Sequence, residues 1–154
     1  MNTGASSAAG EEPPDGPATL RVASGVSRLL EALGYSTLRE FTLACGRRVD
    51  VIGLGERGSF LIVEVKSSLA DLKADGKWPE YLEFCDSFYF AVPEGFPVDA
   101  LPGEGGVIVA DVYQGAIVRP APRRTLHASR RRAQILRFAL TAAGRLSGIL
   151  DLVP

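Results

Sequence analysis

Histidine is almost missing from this chain, and cysteine is scarce. His127 is the one histidine, and it has no histidine, cysteine or serine partner that would make a triad, so it reads as surface or structural. The two cysteines, Cys45 and Cys85, lie far apart and form no CxxC pair. That excludes a zinc knuckle and a disulfide framework, and Cys85 is most simply a buried apolar residue. No stretch reaches the roughly eighteen consecutive apolar residues of a membrane span, and the N-terminus lacks the basic start and apolar run of a signal peptide. No membrane partner is expected, and a reducing cytoplasm is the expected compartment.

Acidic residues are missing from one region only. Between Val112 and Leu150 there are eight arginines and no Asp or Glu, although the net charge of the whole chain is −1. The remainder holds nine Lys and Arg against eighteen acids. The C-terminal region is therefore a candidate phosphate-binding surface, and the acidic remainder is not.

The length of 154 residues suits one domain with a real core. Residues 1–16, small, polar and Pro/Gly-rich, are expected to be a disordered tail. Residues 17–154 form the single domain. A first helix is predicted over 18–33, with Val22, Val26, Leu29, Leu30 and Leu33 at helical spacing and Gly34 as its stop. Glu31 falls opposite that stripe, in solvent.

The chain is organised around residues 39–68. Three strands are predicted, 37–43, 47–54 and 59–66, each rich in β-branched or aromatic residues and bounded by glycine. In the third, Leu61, Val63 and Val65 point one way while Phe60, Ile62, Glu64 and Lys66 point the other. A three-residue turn centred on Arg57, with Gly58 left-handed, puts Asp50 opposite Glu64. The same turn centred on Cys45 puts Glu40 opposite Asp50. One row then reads Glu40, Asp50, Glu64, with Lys66 a step further along. Like charges directly opposed destabilise a sheet unless something positive lies among them. A divalent cation is the usual answer, and hard oxygen ligands suit Mg²⁺ or Mn²⁺. A two-residue turn in either hairpin would break the row. The plainer reading is an amphipathic strand with Glu64 and Lys66 in water.

Beyond the meander, Ser68 with Asp71 three residues on forms a helix N-cap. Gly76 and Pro79 predict a break and a restart near Pro79. Lys73, Lys77 and Trp78 lie in this stretch. The lysines suit a phosphate backbone, with Trp78 near the active face; Trp78, Tyr81 and Phe84 equally suit core packing. Arg47 and Arg48 sit at the first turn, where they would touch phosphate or be merely solvated. SFYFAV, 87–92, is a near-continuous apolar run, as in a strand covered on both faces. It completes a β-α-β unit, for which a right-handed crossover is the default. Residues 93–106 read as loop with one helical turn near 98–101. Strands follow at 106–112 and, short and at an edge, 116–120. A last helix over 126–146 takes its apolar side from Leu126, Ile135, Leu136, Phe138, Ala139, Leu140, Ala143 and Leu146. Arg130, Arg131 and Arg132 stand at its start, either solvated or contacting phosphate.

Asp50, thirteen residues, then Glu64-Val65-Lys66 resembles the D…(D/E)xK signature of the PD-(D/E)xK nuclease superfamily. The longer run GRRVDVIGL…FLIVEVKSS…ADGKWPEYLEFCDSFYFAV resembles the MmcB family of bacterial DNA repair proteins, from about Val22 to the C-terminus. The resemblance implies an α/β, restriction-endonuclease-like fold, a mixed central sheet flanked by helices. It implies a role in repairing DNA damage such as that from crosslinking agents. Asp50, Glu64 and Lys66 would be catalytic. Asp50, Glu64, the carbonyl of Val65 and Glu40 would hold Mg²⁺ or Mn²⁺. Lys73, Lys77, Trp78, Arg130, Arg131 and Arg132 would meet DNA. Three classes stay open: a metal-dependent DNA nuclease, a nuclease-fold module that binds DNA or a repair partner with negligible catalysis, and a domain whose acidic row is structural. The small size favours a helper of other repair proteins or a homodimer.

Overall fold

The computed structural model describes residues 17–154; the expectation for the tail 1–16 lies outside the described residues. Helix α1, Ala18–Ala32, buries Val22, Ala23, Gly25, Val26 and Leu30, close to the stripe read from the sequence. It ends in a Schellman turn. Gly34 takes φ 95°, its N–H donates to Glu31 O, and Tyr35 N–H donates to Leu30 O.

Six strands follow in one sheet: β1 Ser36–Thr42, β2 Arg48–Leu54, β3 Phe60–Val65, β4 Ser87–Val92, β5 Gly106–Ala110 and β6 Gly115–Arg119. Their spatial order is the order of the chain. The first three form an antiparallel meander, β3, β4 and β5 run parallel, and β6 closes the far edge antiparallel. The protein is thus α/β with a mixed sheet flanked by helices.

Both meander turns have the same form. Gly46 and Gly58 adopt φ 89° and 86°, and each N–H bonds back to the carbonyl three residues earlier, on Leu43 and Gly55. Glycine is required there because a side chain in that conformation clashes with its own backbone. These turns set the register: Val51 pairs with Val63, and Phe41 with Val49.

Helix α2, Leu69–Ala74, is capped by Ser68, whose hydroxyl accepts the Asp71 N–H. The restart at Trp78–Phe84 is a 3-10 helix rather than an α-helix. Pro79 has no N–H to donate, and Glu80 N–H bonds to Lys77 O, three residues back. The last helix, α3, runs Ala128–Leu150.

The sheet is covered on both faces. α1 packs on Val51, Leu61, Val63, Val65, Tyr89 and Ile108. α2, the 3-10 helix and α3 cover Phe41, Ile52, Phe60, Ile62, Phe88 and Phe90. α1 lies so near the β5–β6 turn that a Cβ on Gly25 would run into the carbonyls of Asp111 and Gln114. α3 departs from its predicted apolar side: it buries only Gln134 and Phe138, with Ile135 partly covered. Leu136, Leu140 and Leu146 are exposed. Gln134 goes inside because its Nε2 donates to Phe84 O at 2.7 Å, a bond no leucine can make.

Candidate functional site

The meander brings Asp50 and Glu64 together where the strands part. The β2–β3 ladder ends at the Val51–Val63 pair. One step on, side chains replace the backbone ladder. Asp50 N–H donates to Glu64 Oε1 at 3.0 Å, and Val65 N–H donates to Asp50 Oδ2 at 2.7 Å. Each carboxylate thus serves the other strand's backbone. One oxygen of each, Asp50 Oδ1 and Glu64 Oε2, takes no protein hydrogen bond, and among the described residues no buried side-chain oxygen is left unpartnered. The two free oxygens therefore keep access to solvent.

Their electrostatics follow from burial. Glu64 is 7% exposed, and its carboxyl is pushed up to about 8, first by desolvation and then by the Asp50 charge. Asp50 is raised as well, by desolvation, against the hydrogen bond from Val65 N–H and the charge of Lys66. Two acids that resist ionisation side by side have the donor chemistry of a hard-cation site. Mg²⁺ typically takes one or two carboxylates and completes its shell with water and phosphate. Asp50 and Glu64 fit that requirement; among the described residues no group of three or more His, Cys, Asp or Glu comes together as a fuller cage.

Glu40 does not join the pair. It sits at φ 49°, and the β1–β2 ladder skips it. Leu38 and Phe41 pack on the same apolar cluster, so the strand changes face at Glu40. The Glu40 side chain turns outward, 63% exposed, 4.0 Å from Arg48. The Arg48 charge also opposes the rise at Asp50, which makes it the positive charge between the first two members of the predicted row, Glu40 and Asp50. The carbonyls freed at the kink, on Arg39 and Glu40, accept from Arg145 of α3.

Lys66 lies on the same face as Glu64 and is 5% exposed, so neither is a solvated strand residue. Its Nζ is held at 2.7 Å by Asp75, just past α2, with Asp71 at 4.0 Å. Asp75 also accepts Lys77 N–H. Burial alone would raise the Asp75 carboxyl, but these two hydrogen bonds hold it below the usual range. Asp75 was not singled out from the sequence. The available signal was an acid one turn beyond Asp71 on a helix that directly follows Lys66. Tyr81 lies close by: its hydroxyl is pushed up to about 12, by burial and then by the charges of Glu64 and Asp75.

The whole run from GRRVDVIGL through EVKSS to ADGKWPEY is now seen as one assembly. The chain matches the MmcB-like family, described as DNA repair protein MmcB-like, over residues 11–152. This protein belongs to the MmcB-like family of DNA repair proteins. Its fold is similar to a solved structure, the SPO1766 protein of unknown function from Silicibacter pomeroyi, with 46% identity and a TM-score of 0.85. That match covers 89% of this chain and 94% of the other. No curated protein matches the chain.

The predicted DNA contacts of this MmcB-like chain fall into two groups. Lys73, Lys77 and Arg132 are exposed. Trp78, Arg130 and Arg131 are engaged inside the molecule. Trp78 stacks on Phe88 at 5.9 Å and meets Phe90 edge-on at 5.3 Å, so its ring belongs to the core. Arg130 lies 4.5 Å over the Phe84 ring and bonds to Glu83 O. Arg131 forks onto Asp86 at 2.7 and 2.8 Å and also donates to Gly58 O. Asp86, just before β4, is a hub that the sequence did not single out. It accepts the N–H groups of Phe60 and Leu126 besides Arg131. His127 does have a serine partner and caps α3: its Nδ1 accepts Ser129 N–H and lies 2.8 Å from Ser129 Oγ. No helix among the described residues is long and apolar enough to cross a membrane.

Proposed function

We propose that this DNA repair protein hydrolyses phosphodiester bonds of DNA at the Asp50–Glu64 pair. The observation that carries the reading is the pair itself: a half-buried Asp50 and a buried Glu64, bonded crosswise between parted strands, each with one oxygen left for a ligand, and a buried lysine beside them. Asp50 and Glu64, with the Val65 carbonyl between Glu64 and Lys66 in sequence, would hold Mg²⁺ or Mn²⁺. A divalent ion bound there polarises the scissile phosphate and lowers the pKa of a bound water. Lys66 steadies the negative charge that develops on the phosphate or orients the attacking water. For that it must exchange Asp75 for the substrate, and an anionic phosphate is a competitive partner for its ammonium. Asp75 keeps Lys66 extended beside the pair until then. Lys73, Lys77 and Arg132 supply phosphate contacts, so binding weakens steeply with salt.

A second reading is a module that binds DNA, or another repair protein, without cutting. The occupied Lys66 and the outward-turned Glu40 favour it, since the pair then lacks both a free cation and a third acid. Cleavage of duplex, single-stranded, flapped and branched DNA with Mg²⁺ or Mn²⁺ separates the two. Loss of cleavage in Lys66→Ala with binding retained supports hydrolysis. Salt-sensitive binding with no cleavage by the wild type supports the module. Equal cleavage by both proteins rejects this site.

A further inference from the structure

The Asp86–Arg131 clamp does more than anchor α3. It sets two chain segments side by side that are far apart in sequence. Arg131 donates to Gly58 O in the β2–β3 turn, and Asp86 accepts Phe60 N–H just beyond that turn. On the other side, Arg124 N–H bonds to Asp86 O and Leu126 N–H to Asp86 Oδ1. Between the two segments lies a cavity of about 310 Å³ into which Arg57, Arg123 and Arg124 converge, with the hydroxyls of Ser59 and Thr125.

The charge in this cavity is unbalanced. Asp86 is its one acid, and Arg131 already neutralises it. Arg57, Arg123 and Arg124 make no side-chain hydrogen bond or ion pair among the described residues. Glu56, the neighbouring acid of the turn, lines the adjoining hollow beside Leu33 and Tyr35, which shares Arg57 and Ser59 with this cavity, but it forms no ion pair with Arg57. Three arginines on segments that the clamp holds side by side, none of them paired with a carboxylate, suit an anion that accepts several hydrogen bonds. No aromatic ring lines the cavity, so nothing there would stack a base. The ligand class is a phosphate group rather than a nucleobase.

We propose that this cavity is a phosphate-binding site that takes the backbone of DNA. It is distinct from the acid pair. Arg57 stands at the turn of the β2–β3 hairpin and Asp50 at its open end, about 20 Å apart along the strand at about 3.3 Å per residue. DNA bound across both would run the length of the hairpin. The site rests on the DNA-binding part of the proposed function and not on hydrolysis.

The test is a Arg57→Gln/Arg123→Gln/Arg124→Gln variant, with chelator present so that no cleavage can occur. All three side chains are exposed, and the clamp residues are untouched, so the melting temperature should match wild type. Binding of a short DNA duplex is followed against salt, and binding of inorganic pyrophosphate is measured in parallel. The expected result is a salt slope reduced by about one per arginine, together with loss of pyrophosphate binding. An unchanged duplex slope with pyrophosphate binding lost keeps the phosphate site but assigns it to a small phosphorylated ligand. Both unchanged in a folded variant, or neither ligand bound by wild type, overturns the proposal. Binding in chelator does not depend on hydrolysis, so failure of the hydrolytic reading registers separately, in the cleavage assay with Mg²⁺ or Mn²⁺.

Discussion

Glu64 is the residue at which buried charge should be felt most, and Glu64→Gln isolates that effect. Gln keeps the side-chain oxygen that accepts Asp50 N–H and removes the ionisable group. In the folded protein burial pushes the Glu64 carboxyl up to about 8, from an ordinary value of 4.5. Below the unfolded value both states are protonated, and the group has no effect on stability. Between the two values the unfolded chain ionises while the folded chain does not, so stability falls as pH rises. Above about pH 8 both are ionised and the penalty is constant. At about 1.4 kcal/mol per unit the ceiling is about 5 kcal/mol. Asp50 shares the same repulsion, and solvent reaches the free oxygens, so about 2–3 kcal/mol is the expected loss. Urea unfolding in chelator, at several pH values, should then find Glu64→Gln equal to wild type near pH 4.5 and more stable by that amount near pH 8. In melting, this is about 2–4 °C per kcal/mol. Adding Mg²⁺ or Mn²⁺ at pH 8 should raise the wild type and leave the variant nearly unmoved, because the ion restores the charge balance that Gln removes. A variant less stable than wild type at pH 8, or a pH-independent difference between them, would refute the account.

Asp86→Ala should lower stability by about 3 kcal/mol, because it orphans Phe60 N–H, Leu126 N–H and the Arg131 fork together; chemical denaturation reads this directly. Hydrogen bonds from Arg131 outweigh burial and hold the Asp86 carboxyl low, so its stabilisation is present above the unfolded value and should fade as pH falls through the folded one. A thiol reagent should modify Cys45 quickly and Cys85 only on unfolding, since burial pushes the Cys85 thiol up to about 12 while Cys45 is exposed; two fast thiols in the native protein would contradict the packing. Gly25→Ala should destabilise by about 3 kcal/mol, as α1 would have to lift from the β5–β6 turn; a melting curve unchanged from wild type would place that turn elsewhere.

Much of the site was legible because it depends on local periodicity. Gly46 and Gly58 dictate the turns, the turns dictate register, and a period of two then puts Asp50 opposite Glu64 and Lys66 on the same face. These steps need only neighbours along the chain. The same rule overreached at Glu40. Counting placed it in the row, but the strand kinks there, and Phe41 goes to the buried face that Glu40 would have occupied. Register says which residues are opposite; only packing says which way a strand turns when a phenylalanine and a glutamate compete for one face.

Charge partners were the other limit. Eight arginines without an acid between Val112 and Leu150 look like one basic surface. The fold divides them. Arg131 serves Asp86, Arg130 covers Phe84, and Arg145 holds the kink carbonyls, while Arg123 and Arg124 line a cavity with Arg57 and pair with no acid. Likewise Lys66 was placed correctly beside the acids, yet its partner is Asp75, brought back by a helix six residues long. The exposed leucines of α3 belong to the same lesson: the helical pattern names a face, and the groove it meets decides that Gln134 and Phe138 are the residues buried. By itself, the sequence determined the strands, the turns, the register and the juxtaposition of Asp50 with Glu64, because each follows from backbone geometry over a few residues. Which charges are satisfied inside the molecule and which remain without an internal partner was decided only by tertiary structure, because ion pairs form between groups that close approach, not sequence distance, makes neighbours.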